Sequence, residues 1–241
     1  MEIVPTVSLA QANADCRNHL WLNENAKILS SNSTIVPIVH SETGLSPVFE
    51  IPWLYMPFSL SQRPGRLDAV MTLRVRNSNT QILRFGEAVD NLVKKLNPTG
   101  SQMIEISTLR IPRYDQRLES PPYFFWDIQI PFNAICYKLI DPDAEESSSY
   151  LKRVAPQDMT SYSMIKADVV LNQVWFKRGY SGSTMLAKTV VYKPCEEEGT
   201  DQGCTSWNEL CICQILQKYE TLKKNERRLK DLTGKEFNEL G

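Results

Sequence analysis

The sequence predicts one mainly β domain of the α+β class, with an internal amphipathic helix and a helical C-terminal tail. Three patterns predict this class. Residues 66–76 alternate between apolar and polar side chains, which is typical of a strand with one face in water. Residues 82–96 repeat their apolar side chains at helical spacing. Residues 167–192 contain two β-like runs around a Gly-Tyr-Ser-Gly stretch at 179–182, as in a β-hairpin.

The same patterns divide the chain along its length. We predict an irregular N-terminal segment at 1–33, a β-rich domain at 34–194, an acidic loop at 195–205 and a helical tail at 206–241. The tail begins with Ser206-Trp-Asn-Glu209, which matches a capping box. Further strands are predicted from Thr34 onward and at 48–58, 103–111 and 123–140, and a long polar loop at 141–163.

The aromatic-rich strand that begins at Tyr123 has two distinguishable faces. One face is uniformly apolar, and we assign it to the core: Phe124, Trp126, Ile128, Ile130 and Phe132. The opposite face mixes aromatic and polar side chains, and we expect it to meet solvent: Tyr123, Phe125, Asp127 and Gln129.

Composition and missing motifs favour binding over catalysis. The chain has 241 residues, 42% of them hydrophobic, and no apolar run long enough to cross a bilayer. The N-terminus lacks the pattern of a secretory signal, so we expect an intracellular protein. Nucleotide-binding, metalloprotease and serine-hydrolase motifs are missing, and the two histidines lie in the least regular part of the chain. We therefore predict that the protein is not an enzyme and uses no cofactor.

The six cysteines do not indicate a metal site. Cys195, Cys204, Cys211 and Cys213 are crowded together, but their spacing lacks the paired C-x2-C units of structural zinc sites. Cys136 lies in an apolar run, where we expect a buried free thiol.

The net charge of −1 conceals two basic regions. Residues 60–138 carry 11 Lys and Arg against 7 Asp and Glu, and residues 164–194 carry 5 against 1. Acidic segments at 141–146 and 196–201 offset this excess. The β-rich body is therefore basic, which favours an anionic partner.

Basic and aromatic residues are interleaved in two stretches of this body. Residues 110–126 read RIPRYDQRLESPPYFFW, and residues 175–180 read WFKRGY. This combination is typical of single-strand binding, because cations contact the phosphates while unpaired bases stack on aromatic rings. The residues that we predict to contact nucleic acid are Arg74, Arg76, Arg110, Arg113, Tyr114, Arg117, Tyr123, Phe125, Lys177, Arg178 and Tyr180.

Three segments, in this order, resemble a known family. They are PVFEIPWLYMPFSLS at 47–61, ILRFGEAVDNLVKKL at 82–96 and ADVVLNQVWFKRGYSGSTMLAKTVVY at 167–192. Over residues 45–195 the chain is similar to single-stranded-DNA-binding proteins of nucleocytoplasmic large DNA viruses, distant relatives of the T7-phage-type binding protein. Ser59 stands where that family has a glycine, and the tail is rich in Lys and Arg where T7-type relatives are acidic.

The resemblance implies an OB-like β-barrel with insertions, whose groove accepts a single strand and whose end is plugged or flanked by the helix at 82–96. It implies a non-catalytic protein that protects single-stranded DNA during viral replication, recombination or repair, in the cytoplasm or nucleus of the host. Replication proteins, or a second copy of the chain, would be further partners through the C-terminal helix.

Two other functions fit the same residues. A jelly-roll-like minor capsid or scaffold protein would also be β-rich and non-catalytic, but it would assemble without binding DNA. A protein-interaction adaptor would act through the helix at 206–232, and deletion of that helix would abolish its function. Salt-dependent binding of single-stranded DNA separates the capsid or scaffold alternative from DNA binding. For the adaptor, deletion of the helix would leave DNA binding intact.

Overall fold

The structure, a computed structural model, describes residues 6–18, 21–22, 27–30, 33–62, 68–97, 102–112, 122–140, 151–195 and Lys224. Its helices are α1 (Leu9–Arg17) and α2 (Thr80–Lys95). Its strands are β1 (Thr6–Ser8), β2 (Trp21–Leu22), β3 (Lys27–Ser30), β4 (Ser33–Pro37), β5 (Val39–His40), β6 (Val48–Met56), β7 (Ser61–Gln62), β8 (Ala69–Arg76), β9 (Ile104–Glu105), β10 (Leu109–Arg110), β11 (Tyr123–Ile130), β12 (Ile135–Leu139), β13 (Leu151–Val154), β14 (Ser163–Lys177) and β15 (Tyr180–Pro194).

Five of these strands close into a ring. β6 pairs with β8, β8 with β11, β14 with β6, and β15 with β14, all antiparallel. A parallel pairing of β11 with β15, at Gln129 and Leu186, completes the circle. The ring confirms the predicted α+β class and its OB-like architecture, and it differs from the two stacked sheets of a jelly roll.

Inward-facing and outward-facing side chains alternate along the strands, which gives the ring an apolar interior. Met71, Leu73 and Val75 of β8 are fully buried, while the residues between them face outward. On β11, Trp126 and Ile128 point into the same core. This is the packing that the alternation at 66–76 predicts.

Helix α2 closes one end of the ring with its apolar stripe. The Phe85 ring lies 4.7 Å from that of Phe49 and 6.0 Å from that of Trp126, measured between centroids. The predicted internal helix, and its packing against the sheet, are confirmed. Among the described residues, no helix has both the length and the apolar character needed to span a membrane.

The described parts of the N-terminal segment join the ring. β1 pairs in parallel with β6, β3 pairs with β4, and β4 pairs with β14. α1 packs against α2, and its first turn is capped by Ser8, whose Oγ accepts the backbone N–H of Gln11 at 3.2 Å. Short elements of two to nine residues are therefore present where the sequence pattern looks irregular.

Two strands extend the sheet beyond the ring. β12 pairs in parallel with β15 and antiparallel with β13. β13 falls in the segment at 141–163 that we predict to be a loop, so that part of the prediction is wrong. At four residues β13 is too short to show a period, and pairing with β12 rather than local sequence decides its conformation.

The predicted hairpin is confirmed, but its turn is not at the predicted stretch 179–182, because residues 180–182 already belong to β15. β14 and β15 are joined by Arg178 and Gly179, with φ values of 50° and 80°. Two consecutive positive φ values are the geometry of a type I′ turn, whose twist matches that of the flanking strands. The turn therefore places the basic residues of this hairpin at its tip.

Candidate nucleic-acid interface

Eight of the eleven predicted contact residues lie in the described part of the chain, and they form two groups. The first group lies on the outward face of neighbouring strands β8, β10 and β11: Arg74, Arg76, Arg110, Tyr123 and Phe125. The second lies at the tip of the β14–β15 hairpin: Lys177, Arg178 and Tyr180. Arg113, Tyr114 and Arg117 lie outside the described residues.

The first group is organised by cross-strand register. Tyr55 of β6 is the partner of Arg74 on β8, and Arg74 is the partner of Phe125 on β11. Phe125 is in turn the partner of Arg110 on β10. Residues directly opposite in a sheet share a face, so aromatic rings and cations alternate along one row across four strands. We call this row, together with Tyr123, the outer-face cluster.

The cations of the outer-face cluster lie over its rings. The guanidinium carbon of Arg74 is 4.5 Å from the centroid of Tyr55 and 5.7 Å from that of Tyr123. The guanidinium carbon of Arg110 is 5.3 Å from the centroid of Phe125. All three distances are within the range of cation–π attraction, which holds the guanidinium groups flat against the sheet.

One carboxylate lies within this basic surface. Asp127 accepts two hydrogen bonds from Arg110, from Nε at 2.8 Å and from Nη2 at 3.0 Å. Thr72, its cross-strand partner on β8, donates its hydroxyl to Asp127 Oδ1 at 2.7 Å. Asp127 therefore fixes the orientation of Arg110 and offsets its charge.

Phe125 is more buried than we predict from the sequence. It does lie on the face opposite the core, but it is only 6% exposed. The Tyr123 ring is 5.4 Å from it, the Phe58 ring is 5.5 Å from it, and Arg110 covers it from β10. The expectation that Phe125 meets solvent is therefore wrong, because neighbouring side chains on the same face cover it.

Phe58 is the exposed ring at this position, and it is not among the contact residues predicted from the sequence. It is 52% exposed and lies in the connection between β6 and β8. Tyr55 is not among them either. Both belong to the apolar segment at 47–61, where nothing local separates these two rings from the core. Tyr55 lies on the outer face of the sheet but is only 3% exposed, because Arg74 covers it.

The prediction that Phe132 lies in the core is wrong. The Phe132 side chain is 68% exposed. β11 ends at Ile130, and a turn follows in which Ala134 donates its N–H to the Pro131 carbonyl at 2.9 Å. The alternation therefore does not extend to residue 132, because proline ends the ladder one residue earlier.

The hairpin tip is exposed as predicted. Tyr180 is 45% exposed and pairs with Lys177 at the last register position before the turn. Tyr180 is also the partner of Ile104 on β9, whereas the outer-face cluster lies on β6, β8, β10 and β11. The structure thus separates the predicted residues into two surfaces.

Three cysteines are free thiols among the described residues, and two of them, Cys16 and Cys136, are buried. Burial raises the pKa of the Cys16 thiol to about 12 and that of Cys136 to about 11, so both are protonated, inert thiols. Cys136 is buried as predicted. Within the described ranges, no group of three or more His, Cys, Asp or Glu side chains is arranged to hold a metal ion. Cys204, Cys211 and Cys213 lie outside those ranges.

No family model and no curated protein sequence matches the chain. Among solved structures, gp2.5, a single-stranded DNA-binding protein encoded by bacteriophage T7, is similar with a TM-score of 0.42 at 9% identity, over 65% of this chain and 96% of that one. The C-terminally truncated single-stranded DNA-binding protein from bacteriophage Enc34 is similar with a TM-score of 0.41 at 8% identity, over 73% and 98%. The Enc34 protein in complex with single-stranded DNA is similar with a TM-score of 0.39 at 13% identity, over 74% of this chain and 95% of that one.

Proposed function

We propose that this protein binds single-stranded DNA without catalysing a reaction, and that the outer-face cluster is its principal contact surface. The observation that carries the proposal is the row Tyr55, Arg74, Phe125 and Arg110, in which rings and guanidinium groups alternate across neighbouring strands. Phosphates pair with the cations of the row, and its two buried rings hold those cations in place, while unpaired bases stack on Phe58, the exposed ring beside Phe125.

The position of the row in the ring supports this assignment. In chain order β8 and β11 are the second and third strands of the ring, and β14 and β15 are the fourth and fifth. OB folds bind oligonucleotides on the face of strands two and three, and through the loops that join strands one to two and four to five. Phe58 lies in the first of these connections, and Arg178 lies in the second.

The proposal extends to the biological process in which the protein acts. We propose that the chain is a single-stranded-DNA-binding protein of the nucleocytoplasmic large DNA virus type, which protects DNA during replication, recombination or repair at the viral replication site. The support is the resemblance of the segments at 47–61, 82–96 and 167–192. We also propose that the tail at 206–241 contacts replication proteins or a second copy of the chain.

A fluorescence titration with oligo-dT and with a duplex of equal length tests the proposal. We expect tight binding to the single strand, weaker binding to the duplex, and affinity that falls with salt by a log–log slope of about −0.7 for each phosphate contacted. Assembly into particles without DNA binding would instead favour the virion-protein alternative.

A further inference from the structure

A groove of about 820 Å³ lies outside the ring, on the strands that extend the sheet. Its walls include Lys138 of β12, Lys152 and Arg153 of β13, and Phe132 from the turn after β11. None of these residues belongs to the contact surface predicted from the sequence. The volume is ample for a nucleotide. Lys138 and Lys152 share one face of the β12–β13 pair, and Arg153, the next residue of β13, belongs to the opposite face.

Two of these cations lie directly opposite each other. Lys138 and Lys152 are register partners in the antiparallel β12–β13 pair. Like charges at such positions destabilise a sheet, because their Cβ atoms are only about 5 Å apart. Asp158 is the one acid among the described residues that line the groove, and its Oδ2 already accepts the Ala155 N–H at 3.3 Å. An anion that lies between or beside the two ammonium groups would offset this repulsion.

The groove is continuous with the outer-face cluster. A second concavity, of about 370 Å³, shares Phe132 and Pro156 with it and reaches Ser59 and Leu60 in the connection after β6. The residue before Ser59 is Phe58, whose ring centroid is 5.5 Å from that of Phe125. A surface path therefore runs from the outer face of β8 and β11, past Phe58 and Phe132, to the basic groove.

Phe132 occupies the middle of that path. Its ring is 68% exposed, and the turn closed by the Ala134–Pro131 hydrogen bond holds its backbone. An aromatic ring kept in water between two cationic surfaces has the placement of a stacking platform for an unpaired base.

We propose that a single strand, after crossing the outer-face cluster, continues past Phe132 into the groove, where Lys138 and Lys152 contact its phosphates. The proposal rests on the proposed function and deepens it: the binding site is longer than one OB face, and strands β12 and β13 supply its second half. Oligonucleotides long enough to reach the groove bind through both halves, and short ones bind through the cluster alone.

The test compares oligo-dT of about 5 and about 20 nucleotides, lengths that bracket the site size of one OB fold. The variant Lys138→Gln/Lys152→Gln removes two charges and relieves their repulsion, so folding is not compromised. We expect its affinity for the short oligonucleotide to be unchanged. For the long one, affinity falls and the log–log salt slope decreases in magnitude by about 1.4, which is about 0.7 for each lost phosphate contact. Phe132→Ala should weaken only long-strand binding, by at least about fivefold.

The matched control is Arg84→Gln/Lys95→Gln, which removes two exposed cations from α2. If the groove variant changes long-strand binding no more than this control does, the proposal is overturned. That result would follow if the four acids at 141–146, in the chain between β12 and β13, already neutralise the groove. If the proposed function itself is wrong, the result is different, because the unmodified protein then binds neither oligonucleotide.

Discussion

Arg110 on β10 and Asp127 on β11 form a side-on pair, with Nε 2.8 Å from Oδ2 and Nη2 3.0 Å from Oδ1. Both side chains are about half exposed, so the pair contributes only about 0–1 kcal/mol to the free energy of unfolding. Its larger effect is on the surface potential. The carboxylate offsets the charge of Arg110, one of the two cations of the outer-face cluster.

Asp127→Asn should therefore strengthen binding to single-stranded DNA. The substitution removes a negative charge from the path of the phosphates, and it frees Arg110 to contact them. We expect a several-fold gain in affinity at low salt, with a steeper salt dependence and little change in melting temperature. A titration of both proteins with oligo-dT checks this. Loss of affinity would mean that Asp127 acts mainly by positioning Arg110.

Substitutions at Phe125 and Trp126 should separate an effect on DNA binding from an effect on stability. Trp126 is in the core, so Trp126→Ala should lower the free energy of unfolding by about 3–5 kcal/mol. Phe125→Leu keeps most of the apolar volume beneath Arg110 and should cost less than about 1.5 kcal/mol, while it removes a ring from the row. Because Phe125 is covered, its contribution is to support Arg110 and Phe58, and we expect oligo-dT binding to weaken by less than the roughly 1–3 kcal/mol of a directly stacked base. Unchanged binding by Phe125→Leu, measured beside its melting curve, would remove this ring from the interface.

Tyr180 tests whether the hairpin tip takes part. Its ring is 45% exposed at the end of β15, so Tyr180→Ala should leave the melting temperature nearly unchanged. If a base stacks there, binding weakens by about 1–3 kcal/mol. Tyr162→Ala, at a similarly exposed tyrosine outside both surfaces, is the control. Equal effects of the two substitutions would argue against a contact at the tip.

Asp168 makes stability depend on pH. Burial raises its pKa to about 6, and the carboxylate of Glu50, its cross-strand partner, adds to the effect, while Lys166 and Lys188 oppose it. Because the folded pKa is raised, the stabilisation is fully present below about pH 4 and is lost as the pH rises through about 6. Above that pH the folded protein holds a buried charge.

Asp168→Asn should therefore raise the melting temperature at pH 7 and change it much less near pH 4. Thermal melts at both pH values measure the difference, with Glu87→Gln on the exposed side of α2 as the control for charge removal. An equal shift at the two pH values would show that ionisation of Asp168 is not the cause.

Local patterns predict the elements of this fold well where one face of each is buried. The alternation at 66–76 and the helical stripe at 82–96 correspond to β8 and α2, because burial of one face imposes the period directly. The glycine-rich stretch at 179–182 predicts the β14–β15 hairpin in the same way, although the turn itself lies at Arg178-Gly179. These features depend on neighbours in sequence, so one sequence suffices to predict them.

What the sequence does not predict depends on partners distant in the chain. Phe125 is covered by Phe58 and Arg110, and this cover follows from strand register rather than from its own neighbours. Phe132 leaves the core because β11 ends early, and β13 forms because β12 offers an edge. The outer-face cluster combines four strands, so its cations can be predicted individually but not as a row.

The most direct test of the outer-face cluster removes its two cations together. Arg74→Gln/Arg110→Gln should bind oligo-dT at least tenfold more weakly than the unmodified protein, and its log–log salt slope should be smaller in magnitude by about 1.4, the value for two lost phosphate contacts. The control Arg84→Gln/Lys95→Gln removes the same charge from α2 and should bind almost normally. If the two double variants show equal affinity and equal salt slopes, the outer face of β8, β10 and β11 is not where this protein binds DNA.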